Sequence, residues 1–173
     1  MKVCVPYEPH YKADGLVSIV LPLDHTIFSS LPAEMLWKGI RLGKKAEFHI
    51  TLLHVQKAAE LAHRSREEIV SLFNAFVEGH PIRLVSFTND LRYTEEDEKK
   101  TILVRCTVAN LDGLFASLNS AFRISMPTQP AHITIYSLDP FVGIHVNSDE
   151  KMESLERVHL PELEAALKKI SLV

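Results

Sequence analysis

Phe48-His49-Ile50-Thr51-Leu52 and Ala131-His132-Ile133-Thr134-Ile135 are the two stretches on which the reading of this chain turns. Both are rich in β-branched and apolar residues, which marks them as strands. Side chains alternate faces along a strand, so His49, Thr51 and Leu53 share one side, as do His132, Thr134 and Tyr136. Ile50, Leu52, Ile133 and Ile135 point the other way, into an apolar layer. Each strand thus offers an imidazole beside a hydroxyl on a rigid support. Nine histidines are present, and at ordinary composition they would produce about 0.2 such His-apolar-Ser/Thr-apolar matches by accident.

Working outward, Leu16–Leu23 reads as a strand. Asp24 is positioned to cap a short helix through Ile27, Phe28, Leu31 and Met35, with a break at Pro32. The first motif strand is expected at Ala46–Val55 and a helix, in two pieces, at Gln56–Gly79. Ser65 with Glu68 forms a capping box before Ile69, Leu72, Phe73 and Phe76. Strands follow at Ile82–Thr88 and Thr101–Val108, with the charged run Glu95–Lys100 as a solvated hairpin tip. A helix is expected at Leu111–Phe122, the second motif strand at Ala131–Leu138, and a short strand from Pro140 to Val146. A last helix starts at Pro161. Residues 1–14, carrying Pro6 and Pro9, read as a lead-in arm. Leu23–Leu31 echoes Leu111–Leu118, each after a strand and before a His-Ile-Thr strand. This suggests a repeated strand–helix–strand unit and hence two similar lobes in one domain spanning residues 1–173.

Composition constrains the partners. A formal charge of -3 disfavours a DNA duplex or long RNA, which call for a basic track. It leaves room for a short anionic ligand in a local pocket. No stretch is apolar and long enough to span a bilayer, and the start of the chain does not resemble a signal peptide. A cytoplasmic, monomeric protein is expected. Cys4 and Cys106 form neither a CxxC pair nor a disulfide framework.

The residue set fits phosphodiester chemistry. Transfer at phosphorus needs a proton taken from the attacking oxygen and another given to the leaving oxygen, and histidine can hold either state near neutrality. Thr51 and Thr134 can donate to the non-bridging oxygens. Tyr136 is a candidate to stack on a base or bond phosphate, with packing as the alternative. Arg105 and Arg123 are possible phosphate partners. His54 is expected to face away from His49 in the same strand, and Asp139 either orients a histidine or ends a strand. His10, His25, His63, His80, His145 and His159 are scattered, with no zinc-site spacing.

The paired motifs resemble the two signatures of the two-histidine (2H) phosphoesterase superfamily, which includes LigT-like RNA 2′,3′-cyclic phosphodiesterases, cyclic nucleotide phosphodiesterases and 2′,5′-specific enzymes. The resemblance covers most of the chain, from the Leu16 strand to about Leu138. It implies an α+β, bilobal fold with two antiparallel-rich sheets, pseudo-twofold symmetry and a central cleft. It also implies that His49, Thr51, His132 and Thr134 are the catalytic set, with no metal and no cofactor. The expected substrate is a 2′,3′-cyclic phosphate, a 2′–5′ linkage or a cyclic oligonucleotide, borne by a small nucleotide or a short RNA end. A non-catalytic RNA- or nucleotide-binding module of the same fold and a metal-dependent hydrolase are the rival readings.

Overall fold

The computed structural model describes residues 2–140 and 143–170. It is α+β with two antiparallel sheets, and the chain divides into two compact units. One comprises the residues up to Pro22, Ile50–Leu84 and Val108–Gln129. The other comprises Leu23–His49, Val85–Thr107 and the residues from Pro130 on.

The first unit holds most of a three-stranded sheet of β1 (Glu8–Lys12), β2 (Gly15–Leu23) and β5 (Phe48–Leu53), in the order β1-β2-β5, with Leu23, Phe48 and His49 falling in the second unit. β1 pairs antiparallel with β2, from Glu8↔Val20 to Lys12↔Gly15. Gly15 has φ 109°, and a Cβ there would lie 2.7 Å from Arg66 Nη1, which donates to the Asp14 carbonyl. Only glycine serves that turn without strain. Three helices complete the unit: α1 (Val55–Ala62), α2 (Arg66–Gly79) and α3 (Leu111–Phe122). The Ser65–Glu68 capping box opens α2, with both reciprocal hydrogen bonds formed. α2 buries Ile69, Val70, Phe73 and Val77, and α3 buries Leu111, Leu114, Phe115 and Leu118. Each such side chain, fully buried, stabilises by roughly 1.5–3 kcal/mol. Gly113 lets the ring of Phe76 approach α3, since a Cβ there would stand 3.1 Å from it.

The second unit carries a six-stranded sheet built from β3 (Glu34–Trp37), β4 (Ile40–Lys44), β6 (Arg83–Glu96), β7 (Lys99–Ala109), β8 (His132–Ser137) and β9 (Glu156–Val158). Their order is β3-β4-β8-β7-β6-β9. Lys38 and Gly39, both at positive φ, make the two-residue turn between β3 and β4 that suits strand twist. The sheet curls. Lys38, at the tip of the β3–β4 hairpin, pairs with Glu156 of the opposite edge strand β9 at 2.6 Å, and Trp37 lies 6.4 Å from the Tyr93 ring of β6. Helices α4 (Asp149–Ser154) and α5 (Pro161–Lys168) follow β8.

Several expectations need correction. The expected lead-in arm is built into the fold where it is described: Glu8–Lys12 is an edge strand, and Val3 and Tyr7 are buried. An edge strand tolerates Pro9 because its missing N–H need not face a partner. The helix after β2 is a single 3₁₀ turn, His25–Phe28, although Asp24 caps it by accepting from the Thr26 N–H at 2.8 Å. Met35 belongs to β3. The β3–β4 hairpin therefore intervenes before the first motif strand, and the two copies of the repeat differ in build. His54 is the N-cap residue of α1, not a strand residue. Residues 143–146 form no strand, and Phe141 and Val142 lie outside the described residues.

Candidate functional site

The second motif sits on β8 between β4 and β7. Opposite β7, His132 pairs with Arg105, Ile133 with Val104 and Thr134 with Leu103. Directly paired residues point to the same side, so His132, Thr134, Leu103 and Arg105 share a face. The register then slips: Tyr136 pairs with Ile102, next to Leu103, and Ile135 is the extra residue of a β-bulge. A bulge inverts the alternation beyond it. Tyr136 therefore lies on the opposite face from Thr134.

That placement corrects the reading of Tyr136 as a substrate residue. Its ring is fully buried and its hydroxyl donates to the Pro32 carbonyl at 2.9 Å. Burial pushes its pKa up to about 12. Lys44, paired with Tyr136 from β4, reaches the same segment, donating to the carbonyls of Phe28 (3.3 Å) and Leu31 (3.0 Å). Tyr136→Phe should thus lower stability by about 1 kcal/mol, the net worth of one hydrogen bond, and leave turnover unchanged. A thermal melt and a kcat measurement on the same preparation check both halves.

His132 is half-buried. Its Nδ1 lies 2.8 Å from the Pro130 carbonyl, which can only accept, so Nδ1 carries the proton and the neutral ring presents its lone pair at Nε2. Burial is the main force pushing its pKa below the ordinary 6.5; the Pro130 carbonyl opposes this, and the charges of His145 and Arg105 add to it. The ring is thereby held as a neutral base at pH 7.

Arg105 is not available for phosphate in the way expected. Its Nη1 lies 2.5 Å from Glu153 Oε1 and 3.5 Å from Asp90 Oδ2, and its Nη2 lies 3.0 Å from Asp149 Oδ1. Three carboxylates neutralise it, and it fastens α4 to β7. Arg123 lies in the other unit as the exposed left-handed C-cap of α3, φ 53°, with its backbone N–H donating to Asn119. The fold uses its backbone conformation there. Asp139 is exposed, and its charge bears on Lys45. Burial pulls the pKa of Lys45 down, while Asp139 and Glu47 oppose this, and its N–H donates to the Ile135 carbonyl.

The first motif occupies β5. Phe48, Ile50 and Leu52 are buried, His49 is exposed and Thr51 is half-buried, so the alternation holds through Leu52. Leu53 breaks it and is buried at the strand's end. Phe48 packs on Phe28 with the rings tilted by 31° and their centroids 4.1 Å apart. One residue escaped the sequence reading. Gln129, almost fully buried, donates from Nε2 to the Thr51 carbonyl at 2.5 Å. It stands three residues before His132, so the loop leading into the second motif is tied to the strand of the first. An amide between Pro127 and Pro130 beside a motif was the available signal. Among the described residues no group of three or more His, Cys, Asp or Glu is arranged to hold a metal ion. Comparison with protein-family models, with curated proteins and with solved structures gave no match to this chain.

Proposed function

We propose that the chain is a phosphodiesterase of the two-histidine type, acting on a nucleotide or short-RNA phosphodiester. The observation that supports it most is the repetition: in both β5 and β8 an accessible imidazole and a hydroxyl alternate with fully buried isoleucine. His132, neutral and with its lone pair on Nε2, takes the proton from the attacking oxygen of water or a ribose hydroxyl. His49, exposed, gives a proton to the leaving oxygen. Thr51 and Thr134 donate to the non-bridging oxygens, where charge accumulates. The division into two units, each with an antiparallel sheet, is in keeping with the bilobal fold of that superfamily, and the central cleft and pseudo-twofold relation are part of this proposal. So are a cytoplasmic location, a monomeric state and a scheme without metal or cofactor. Among the described residues no helix is long and apolar enough to cross a membrane.

The test is turnover, in EDTA, of 2′,3′-cyclic mononucleotides, an RNA oligomer ending in a cyclic phosphate, a 2′–5′ linked dinucleotide and cyclic dinucleotides. Turnover of one member, abolished by His49→Ala, is the expected result. Loss of activity on chelation, restored by zinc or manganese, would sink the metal-free scheme. Tight binding of one member without turnover would make the protein a binding module.

The pH profile of kcat carries a signed prediction. A base must be unprotonated to act, so activity falls as pH drops through the pKa of His132. That pKa lies below the ordinary 6.5. The acidic limb is therefore expected below pH 6.5, and the need for a protonated general acid adds an alkaline limb, giving a bell. A flat profile across both limbs would contradict paired acid–base histidines.

A further inference from the structure

The segment after β8 is anchored to the sheet beside each member of the second motif. A Cβ on Gly143 would stand 4.0 Å from Thr134 Oγ1. Three residues on, Val146 packs with Met152 against Leu103, the cross-strand partner of Thr134. Further on, Asp149 and Glu153 hold Arg105, the cross-strand partner of His132. The chain thus runs along the face that carries His132 and Thr134. Within it Ile144 and Val146 are buried while Gly143 and His145 are exposed. The backbone at His145 is thus held between the Thr134 contact at Gly143 and the Leu103 contact at Val146.

We propose that His145 is a third histidine of the site, a substrate-binding residue that contacts the phosphate undergoing attack beside His132 and Thr134. This rests on the phosphodiesterase reading and adds the residue that holds the anion. The chemistry fits: Arg105, the guanidinium paired across the strands with His132, is already neutralised by Asp90, Asp149 and Glu153, so an anion needs another donor. An imidazolium supplies a charge-assisted hydrogen bond. The electrostatic influence of His145 on His132 supports the placement. The groups bearing on His132 are His145 from this segment and Arg105 from β7.

The experiment pairs two readouts on wild type and His145→Gln, an exposed substitution that spares the fold. The first is the NMR response of the His132 and His145 imidazoles to inorganic phosphate. The second is steady-state kinetics on whichever member of the panel is turned over. Phosphate should shift both rings in the wild type, and His145→Gln should weaken the His132 response. The same variant should raise KM by about 10-fold or more, the worth of one charge-assisted hydrogen bond, with kcat changed far less. Removing the His145 charge should also move the His132 titration upward, an effect that fades with salt. An unchanged KM and an unchanged phosphate response in His145→Gln would overturn the proposal, while loss of turnover in His132→Ala would leave the phosphodiesterase reading standing. A wild type that turns over nothing, but in which phosphate still shifts both rings, would keep the anion site and remove the enzyme.

Discussion

His132→Ala should lower kcat by at least about 10²-fold, the lower bound for a lost general base, with the fold intact. The side chain is half-buried and makes one hydrogen bond, to the Pro130 carbonyl, so its removal costs about 1 kcal/mol of stability. His49→Ala should lose a similar factor with even less effect on stability, because its side chain is exposed. The double variant should lose less than the product of the two, since an acid and a base that act in one step function as a unit. Either single variant with near-wild-type kcat refutes the pairing. A control separates catalysis from folding. The folded-state pKa of His132 is depressed, so the folded protein binds this proton less readily than the unfolded chain. The associated stability is full above the ordinary 6.5 and is lost as pH falls below it. His132→Gln should therefore melt with a weaker dependence on pH in that window than the wild type, whatever it does to turnover.

The elements that could be read from the sequence are those whose signals are local. The Ser65–Glu68 box is formed as written and α3 spans Leu111–Phe122 as its apolar spacing indicates, while of the Glu95–Lys100 run only Asp97, at positive φ, and Glu98 make the hairpin turn, because β6 runs past the expected Thr88 to Glu96 and β7 starts at Lys99. What stayed hidden depends on partners far along the chain. β3 is short, and although its burial alternates, the outward-facing Leu36, 67% exposed, is apolar, so its sequence lacks polar–apolar alternation; Lys38-Gly39 was its one turn signal. The bulge at Ile135 leaves no mark in a run of β-branched residues, and a strict period of two therefore put Tyr136 on the wrong face. Arg105 looked like a free cation because Asp149 and Glu153 lie more than forty positions away. The His-Ile-Thr pairs were visible because strand alternation puts an imidazole and a hydroxyl from neighbouring residues on one face. The Gln129 tie and the contacts of the 143–146 segment arise only once the chain has folded.

Arg92→Met should destabilise the protein by about 3 to 5 kcal/mol, the cost of breaking a buried, hydrogen-bonded ion pair from one side. Arg92 is 2% exposed. It donates to both Asp90 oxygens (2.5 and 3.1 Å), to Glu153 Oε2 (2.9 Å) and to the carbonyls of Leu155 (3.1 Å) and Glu153 (3.3 Å). Methionine fills the volume and satisfies none of these groups. Arg105 and Arg157 remain near Asp90, at 3.5 and 3.9 Å, which favours the lower end of the range. The sign of the pH dependence is fixed by the carboxylates. Burial alone would raise the pKa of Asp90; the Arg92 hydrogen bond and the charges of Arg92, Arg157 and Arg105 outweigh it and hold the value below 3.8. That contribution is present above 3.8 and is lost as pH falls through the lowered value. The gap in stability between wild type and Arg92→Met should accordingly narrow below about pH 3.8. A gap under about 1 kcal/mol at pH 7, the worth of a surface pair, would show that the network is not what holds this region. There is a functional corollary, because Arg92 and Arg105 both grip Glu153 of α4, and α4 closely follows the segment that carries His145. If the variant still folds at low temperature, loosening α4 should raise KM more than it lowers kcat, the same pattern as is expected of His145→Gln. His132 itself stays in place on β8, paired with Arg105 of β7. A fall in kcat with KM unchanged would instead mean that the cluster acts on His132 through Arg105.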